Sequence, residues 1–211
     1  MEKPIIYTVG HSTHELDFFL ELIKTVEINC IVDVRSLPAS AYSPQYNQNS
    51  FKNYLKDNHI TYLHFAEEFG ARRTDYDLLG DDGKLDFEKV RKTSLFNRGV
   101  ERIWQGIDKG FRIALMCSES DPLDCHRFSM VSIGLENNGF NVLHLLKDKS
   151  IKTNLELEKE LLKKYEKKIP QSNLFESEVS FEKQLKEALR LKNKEIGFSP
   201  NLIHKEQEMY D

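Results

Sequence analysis

What most constrains this chain is a change of hydrophobic period near its start. Ile5-Ile-Tyr-Thr-Val9 is a short β-branched and aromatic run that ends at Gly10, the profile of a buried strand. Leu16, Phe19, Leu20 and Ile23 then recur at helical spacing, and a second apolar run, Cys30-Ile-Val-Asp-Val34, follows. Strand, helix and strand within roughly thirty residues make a βαβ unit, whose crossover is right-handed and whose strands are parallel. Further strands are predicted at 61–65, 111–117 and 141–146, with helices at 51–58, about 86–108 (broken near 97–99) and 125–138. The pattern predicts an α/β, three-layer, Rossmann-like fold of about five mainly parallel strands. We expect the order 3-2-1-4-5, which sets the first strand beside the fourth.

Local signals refine the boundaries. Ser12-Thr-His-Glu15 has the spacing of a capping box for the first helix. Asp124 is placed to cap a helix whose first turn holds Cys125 and His126, and Asn138-Gly139 suits its left-handed end. Two long loops, 38–50 and 70–83, interrupt the alternation, the first rich in Ser, Pro, Asn, Gln and Tyr. Residues 1–146 are thus expected to form the core domain. Residues 147–198 read as two amphipathic helices around a linker ending at Phe175, folded back on the core, and 199–211 as a flexible tail. Lys and Glu alternate through 147–168, which describes a solvated helix face.

Composition narrows the function. The 211 residues are 39% hydrophobic and 30% charged, with a net charge of −4. That total excludes a generally cationic nucleic-acid coat but permits a local basic groove. No apolar run approaches the roughly 20 residues that cross a bilayer, and the N-terminus lacks a signal-peptide pattern, so no membrane partner is expected. Three cysteines are too few for a disulfide framework and read as thiols in a reducing cytoplasm. Oligomeric state leaves no mark in the sequence.

In parallel α/β sheets, sites lie at the carboxyl ends of the strands. Gly10, His11 and Ser12 follow the first strand; Asp33 and Arg35 sit at the second; Cys117 and Glu119 follow the fourth, ahead of Cys125-His126-Arg127. A thiol at a helix start beside His and Arg has a lowered pKa, whereas Cys117 is expected walled in and protonated. Arg127 can hold a phosphate or carboxylate through paired hydrogen bonds.

Three segments carry a family resemblance: Tyr7-Thr-Val-Gly-His-Ser12; Val32-Asp-Val-Arg35 with Pro38 after it; and Leu115-Met-Cys-Ser-Glu119 leading through Pro122 to Cys125-His-Arg127. Together they resemble the bacterial and archaeal family catalogued as domain of unknown function 488, over roughly residues 5–146. Leu174-Phe175 and the helix after it resemble the tail of longer members. Where many members have a Leu-Gly-Gly run, this chain has Glu68-Phe-Gly-Ala-Arg-Arg73. The resemblance implies an α/β fold and this site, and brings no reaction with it.

Three chemistries could use such a cluster. In the first, Cys125 or Cys117 is a nucleophile with His11 or His126 as proton carrier. In the second, zinc sits on Cys117, Cys125 and His126 or His11, with Glu119 as ligand or base. In the third, two helix N-termini with Arg35 and Arg127 bind phosphate. Zinc is the weaker alternative, because Cys117 and Cys125 are not a close knuckle and successive helical residues diverge by about 100°. The expected function is a cytoplasmic enzyme acting on a phosphate-bearing small molecule, nucleotide or nucleic-acid end. Cys125 or Cys117 would supply the thiolate, His11 the proton transfer, and Arg35 and Arg127 the anion clamp. Ser12, Asp33 and His126 would line the site, and Arg72 and Arg73 would reach in from their loop. The alternative is a non-catalytic nucleotide or nucleic-acid binding module with a structural Cys-His-Arg turn and exposed Tyr42, Tyr46 and Tyr76 for stacking. An adaptor working through the C-terminal helices is a third. Cys30 reads as inert core, His144 as locally bonded, and Asp33–Arg35 as a possible structural ion pair.

Overall fold

The computed structural model describes residues 2–171 and 179–200. The strands are β1 (Ile5–Gly10), β2 (Cys30–Asp33), β3 (Thr61–His64), β4 (Ile113–Cys117), β5 (Asn141–Leu145) and β6 (Ile151–Thr153). The helices are α1 (Leu16–Lys24), α2 (Gln48–Asp57), α3 (Ala66–Phe69), α4 (Phe87–Arg91), α5 (Ser94–Asp108), α6 (Ile133–Asn137), α7 (Asn154–Lys164) and α8 (Phe181–Ile196).

The strands form one sheet in the order β3-β2-β4-β1-β5-β6, parallel except for β6, which runs antiparallel to β5. β1 and β4 are neighbours as expected, but β4 lies between β2 and β1 instead of beyond β1. Burial accounts for which strands are central and which are rims, a condition both orders meet. Every residue of β4 and β2 is buried, so both need cover on each face and edge, whereas β3 and β6 carry partly exposed residues and take the rims.

One face of the sheet packs on α1 and α2 through Phe19, Leu22, Ile23, Phe51 and Leu55. The other packs on α4, α5 and the helix after β4 through Val90, Phe96, Ile103, Met130 and Leu135. The connections leaving β1 and β4 therefore go to opposite faces. That divergence makes the gap between their carboxyl ends the switch point of the fold.

Several expected boundaries move. α1 starts at Leu16 behind Glu15, which makes no side-chain cap, and Ser12 has a left-handed φ of 49°. The capping box is therefore absent, and the helix begins a turn further from β1. The break in 86–108 falls at Lys92-Thr93, where the Thr93 hydroxyl caps α5, and residues 97–99 are helical. Asp121, not Asp124, caps the single turn Pro122–Asp124; Cys125 is extended, and the helix starts only at 126. Its first part, Arg127–Ser132, is a wide π turn that continues into α6.

α7 and α8 pack through Leu157, Leu161, Tyr165 and Ala188 onto Phe128 and Ile133. α7 is pinned further by a buried chain in which the Thr8 hydroxyl donates to His144 Nδ1 (2.8 Å) and His144 Nε2–H donates to Asn154 Oδ1 (3.2 Å). Leu174-Phe175 and residues 201–211 lie outside the described residues. Among the described residues no helix is long and apolar enough to cross a membrane.

Candidate functional site

Pairing of Gly10 with Cys117 and of Asp33 with Met116 aligns the carboxyl ends of three strands. The ladder runs on past β1 and β4, with His11 N–H donating to Cys117 O (3.0 Å) and Ser12 N–H to Ser118 O (2.8 Å). This requires glycine at position 10, since a Cβ there would stand 1.9 Å from the Glu119 carbonyl oxygen. His11, Ser12, Cys117, Glu119 and Arg127 thus meet at one edge.

The first of two polar clusters at this edge is closed. Asp33 accepts from Arg35 Nε (2.9 Å) and Nη2 (2.6 Å), from the Arg35 backbone N–H (3.0 Å) and from the Tyr62 hydroxyl (2.7 Å). Arg35 also donates to Tyr46 O (2.9 Å) and, through Nη1, to His11 Nε2 (3.1 Å). His11 Nδ1 lies 2.6 Å from the Ser12 carbonyl, so it carries the ring proton, and the ring stacks on buried Tyr46 at 4.1 Å. Burial, aided by the Arg35 charge, lowers its pKa to about 4. His11 is therefore neutral with both nitrogens engaged and is not placed for the proton transfer expected of it. Arg35 is neutralised by Asp33 and is not an anion clamp. Tyr46 is fully buried, not an exposed stacking platform.

The second cluster is built differently. Cys117 ends β4; Cys125, with φ −126° and ψ 143°, stands just before the helix. Its Sγ accepts the Arg127 backbone N–H at 3.3 Å, as an N-cap side chain would. His126 is half-buried, its Nδ1 3.7 Å from Cys117 Sγ and 3.9 Å from Cys125 Sγ, and its Nε2–H donates to Val34 O (3.2 Å). Arg127 is 1% exposed. Its guanidinium donates to the carbonyls of Glu119 and Ser120, and its Nε has no partner among the described residues.

Electrostatics separate the two thiols. Donation to the Cys125 sulfur, together with burial, pushes Cys117 well above the usual thiol range. Burial also opposes ionisation of Cys125, but the hydrogen bond from Cys117 and the charges of Arg127 and His126 outweigh it and bring that thiol well below its usual range. Burial would lower His126; the Cys125 charge beside it carries the imidazole upward instead. Glu119 is exposed at the mouth, and its carboxyl is raised by partial desolvation and by Cys125. Both sulfurs are nonetheless almost out of solvent, Cys125 at 1% exposure. Cys30 is pushed up to about 12 by burial and is core.

Ser12 is half-buried at the crevice, its carbonyl accepting from the Ser43 hydroxyl at 3.3 Å. Arg73 is consumed by the carbonyls of Glu67, Glu68 and Gly70 and braces its own loop. Arg72 is exposed, tied to the edge by its N–H donating to Ser36 Oγ (2.8 Å). Sequence reasoning missed Tyr62, whose register partner is Ile31, two residues before Asp33 on the neighbouring strand, and no local signal ties its hydroxyl to that carboxylate. It also missed Lys192 of α8, which is buried and pairs with Asp124 (2.8 Å) beside Cys125, and which nothing in the sequence announces.

The fold and the cluster define a class: a doubly wound α/β protein with a thiol–imidazole centre at its switch point. The chain belongs to the family described as domain of unknown function DUF488, which matches residues 15–132. The match runs from the residue before α1 into the π turn and takes in Cys117, Glu119, Cys125, His126 and Arg127. No curated protein and no solved structure matches the chain.

Proposed function

We propose that the protein is a cytoplasmic enzyme acting on a phosphate-bearing small molecule, nucleotide or nucleic-acid end, with Cys117, Cys125, His126 and Glu119 as its reaction centre. One observation carries this reading. Arg127 is a buried cation with no carboxylate partner among the described residues, and the sulfur of Cys125 accepts its backbone N–H. An uncompensated buried charge costs several kcal/mol, so Arg127 favours negative charge close by, and its charge is one of those that lower the Cys125 thiol. The Arg127 guanidinium and the backbone amides that open the helix at 126 favour an anionic substrate. Glu119 is the most exposed member of the cluster, and we assign it the proton transfer. Three free thiols, two of them neighbours, suit a reducing compartment.

The test uses inorganic phosphate, adenosine monophosphate and a 5′-phosphorylated dinucleotide as probes, with thermal shift for binding and phosphate release for turnover. At least one organic phosphate is expected to stabilise the protein and to be turned over. Glu119→Gln should lose about 10²–10⁴-fold in rate while keeping the melting temperature of the free protein. Failure of every probe to bind, or unchanged turnover in Glu119→Gln, overturns the reading.

A second reading, a non-catalytic nucleic-acid binding module, draws on Tyr42 and Tyr76, which are 93% and 83% exposed. It expects oligonucleotide affinity that falls steeply with salt and is unaffected by Glu119→Gln.

A further inference from the structure

We infer that Cys117, Cys125 and His126 are the three protein ligands of a bound divalent metal ion, zinc by the chemistry of the donors. For what the ion does, this rests on the reading of the cluster as a reaction centre; for whether it binds, the geometry stands alone.

The spacing argument against such a site assumed that Cys125 and His126 share a helical turn and so diverge. They do not. Cys125 is extended and precedes the helix, which lets its sulfur and the imidazole of the next residue point to one place. The three donor atoms all lie within 4.8 Å of one another. A tetrahedral zinc with bonds of about 2.3 Å to sulfur and 2.0–2.1 Å to nitrogen has ligand–ligand edges of roughly 3.6–3.8 Å. His126 Nδ1 stands 3.7 Å from Cys117 Sγ and 3.9 Å from Cys125 Sγ, so these two edges already match, and the sulfur–sulfur edge, within 4.8 Å, has to close by about 1 Å at most.

The surroundings are those a ligand set needs. His126 Nε2–H donates to Val34 O at 3.2 Å, which fixes the ring and leaves the Nδ1 lone pair aimed at the two sulfurs. The Arg127 N–H bond to Cys125 Sγ supports a thiolate there. Two thiolates balance the charge of a divalent ion, so the occupied centre is neutral, in keeping with two sulfurs packed into the core. Two sulfurs and one nitrogen select zinc over magnesium or calcium, which take oxygen ligands. Three protein ligands leave one tetrahedral position for water or substrate, the pattern of catalytic rather than structural zinc. Glu119, whose carboxyl borders Cys117, Cys125 and His126, is placed to accept the proton of a water in that position.

The experiment takes the full chain, stripped with a chelator and kept reduced, and titrates it with zinc chloride and with cobalt(II) chloride. Expected are one equivalent bound, a higher melting temperature, and the thiolate-to-cobalt charge-transfer bands of a tetrahedral site with two sulfurs. His126→Asn should weaken binding by more than the roughly 10–100-fold that an outer-shell partner is worth, and Glu119→Gln should leave it within about that range. Cys117→Ser and Cys125→Ser should each lose charge-transfer intensity. If the serine variants do not fold, the wild-type spectrum and half-buried His126→Asn decide. Absence of a stoichiometric site, or binding indifferent to His126→Asn, overturns the inference. Its failure is separable from failure of the proposed function. Metal bound with no organic phosphate bound or turned over refutes the substrate reading alone; turnover by chelated protein that takes up no metal refutes this one alone.

Discussion

The two polar clusters at the carboxyl edge share a backbone and differ in how their charges are settled. Around Asp33, every strong group has a partner: two nitrogens of Arg35 and the Tyr62 hydroxyl meet the carboxylate, and His11 closes the ring between Arg35 and Ser12. Around Cys125 the accounts stay open. Among the described residues Arg127 has an orphan Nε and no carboxylate partner, two sulfurs face one imidazole nitrogen, and Glu119 stands at the mouth. The first cluster has its charges settled within the protein itself and serves as scaffold. The second keeps polar groups without partners among the described residues, and residue types alone did not distinguish the two.

The largest test of this contrast is Asp33→Asn, which leaves Arg35 buried without its counter-charge. It should cost about 3–5 kcal/mol in urea unfolding; a loss near zero would mean the closed cluster is not structural. Next comes acid. His11 is held to about 4 and His144 to about 3, both far below the unfolded value of 6.5. As pH falls below 6.5 the unfolded chain takes up protons that the folded chain refuses. Stability conferred by the neutral rings is thus full above 6.5 and drains away toward pH 4 for His11 and pH 3 for His144, about 3–5 kcal/mol for each ring. His11→Phe should flatten the slope of unfolding free energy against pH between 6.5 and 4; an unchanged slope contradicts the assignment. A smaller effect concerns the turn before Cys125. Asp124→Ala leaves Lys192 buried with Glu195, at 3.5 Å, as its remaining carboxylate among the described residues, and should cost about 1–3 kcal/mol. Lys192→Met, which removes the buried charge itself, should cost less. Smallest is Glu119→Gln, expected within about 0.5 kcal/mol of the wild type because the residue is exposed and the amide is isosteric with the carboxyl.

Much of the fold was readable because hydrophobic period reports burial. The βαβ start, the helices after β3 and β4, and the fully apolar β4 follow from it. Strand order was half legible: the uninterrupted burial of β4 called for a central place, yet nothing local says which neighbours it takes. β6 escaped because Ile151, Lys152 and Thr153 are partly exposed and too few to show a period. At the site, Cys117, Glu119, Cys125, His126 and Arg127 could be picked out since they follow one strand. The Asp33–Arg35 ion pair was one of two readings open for Arg35; the rest of the closed cluster was not legible, because Tyr46 and Tyr62 come from the approach to α2 and from β3. The convergence of Cys125 and His126 was not legible, because the sequence predicts a helix from 125 whereas Cys125 is extended and the helix begins at 126.

The central claim is that chemistry occurs at the open cluster while the closed one merely holds the edge in shape. A crystal structure of the chain soaked with zinc and adenosine monophosphate tests it most directly. The account predicts anomalous density among Cys117, Cys125 and His126, with the phosphate beside it within reach of Glu119. Density at Arg35 and His11 instead, with the cysteines bare, would contradict it.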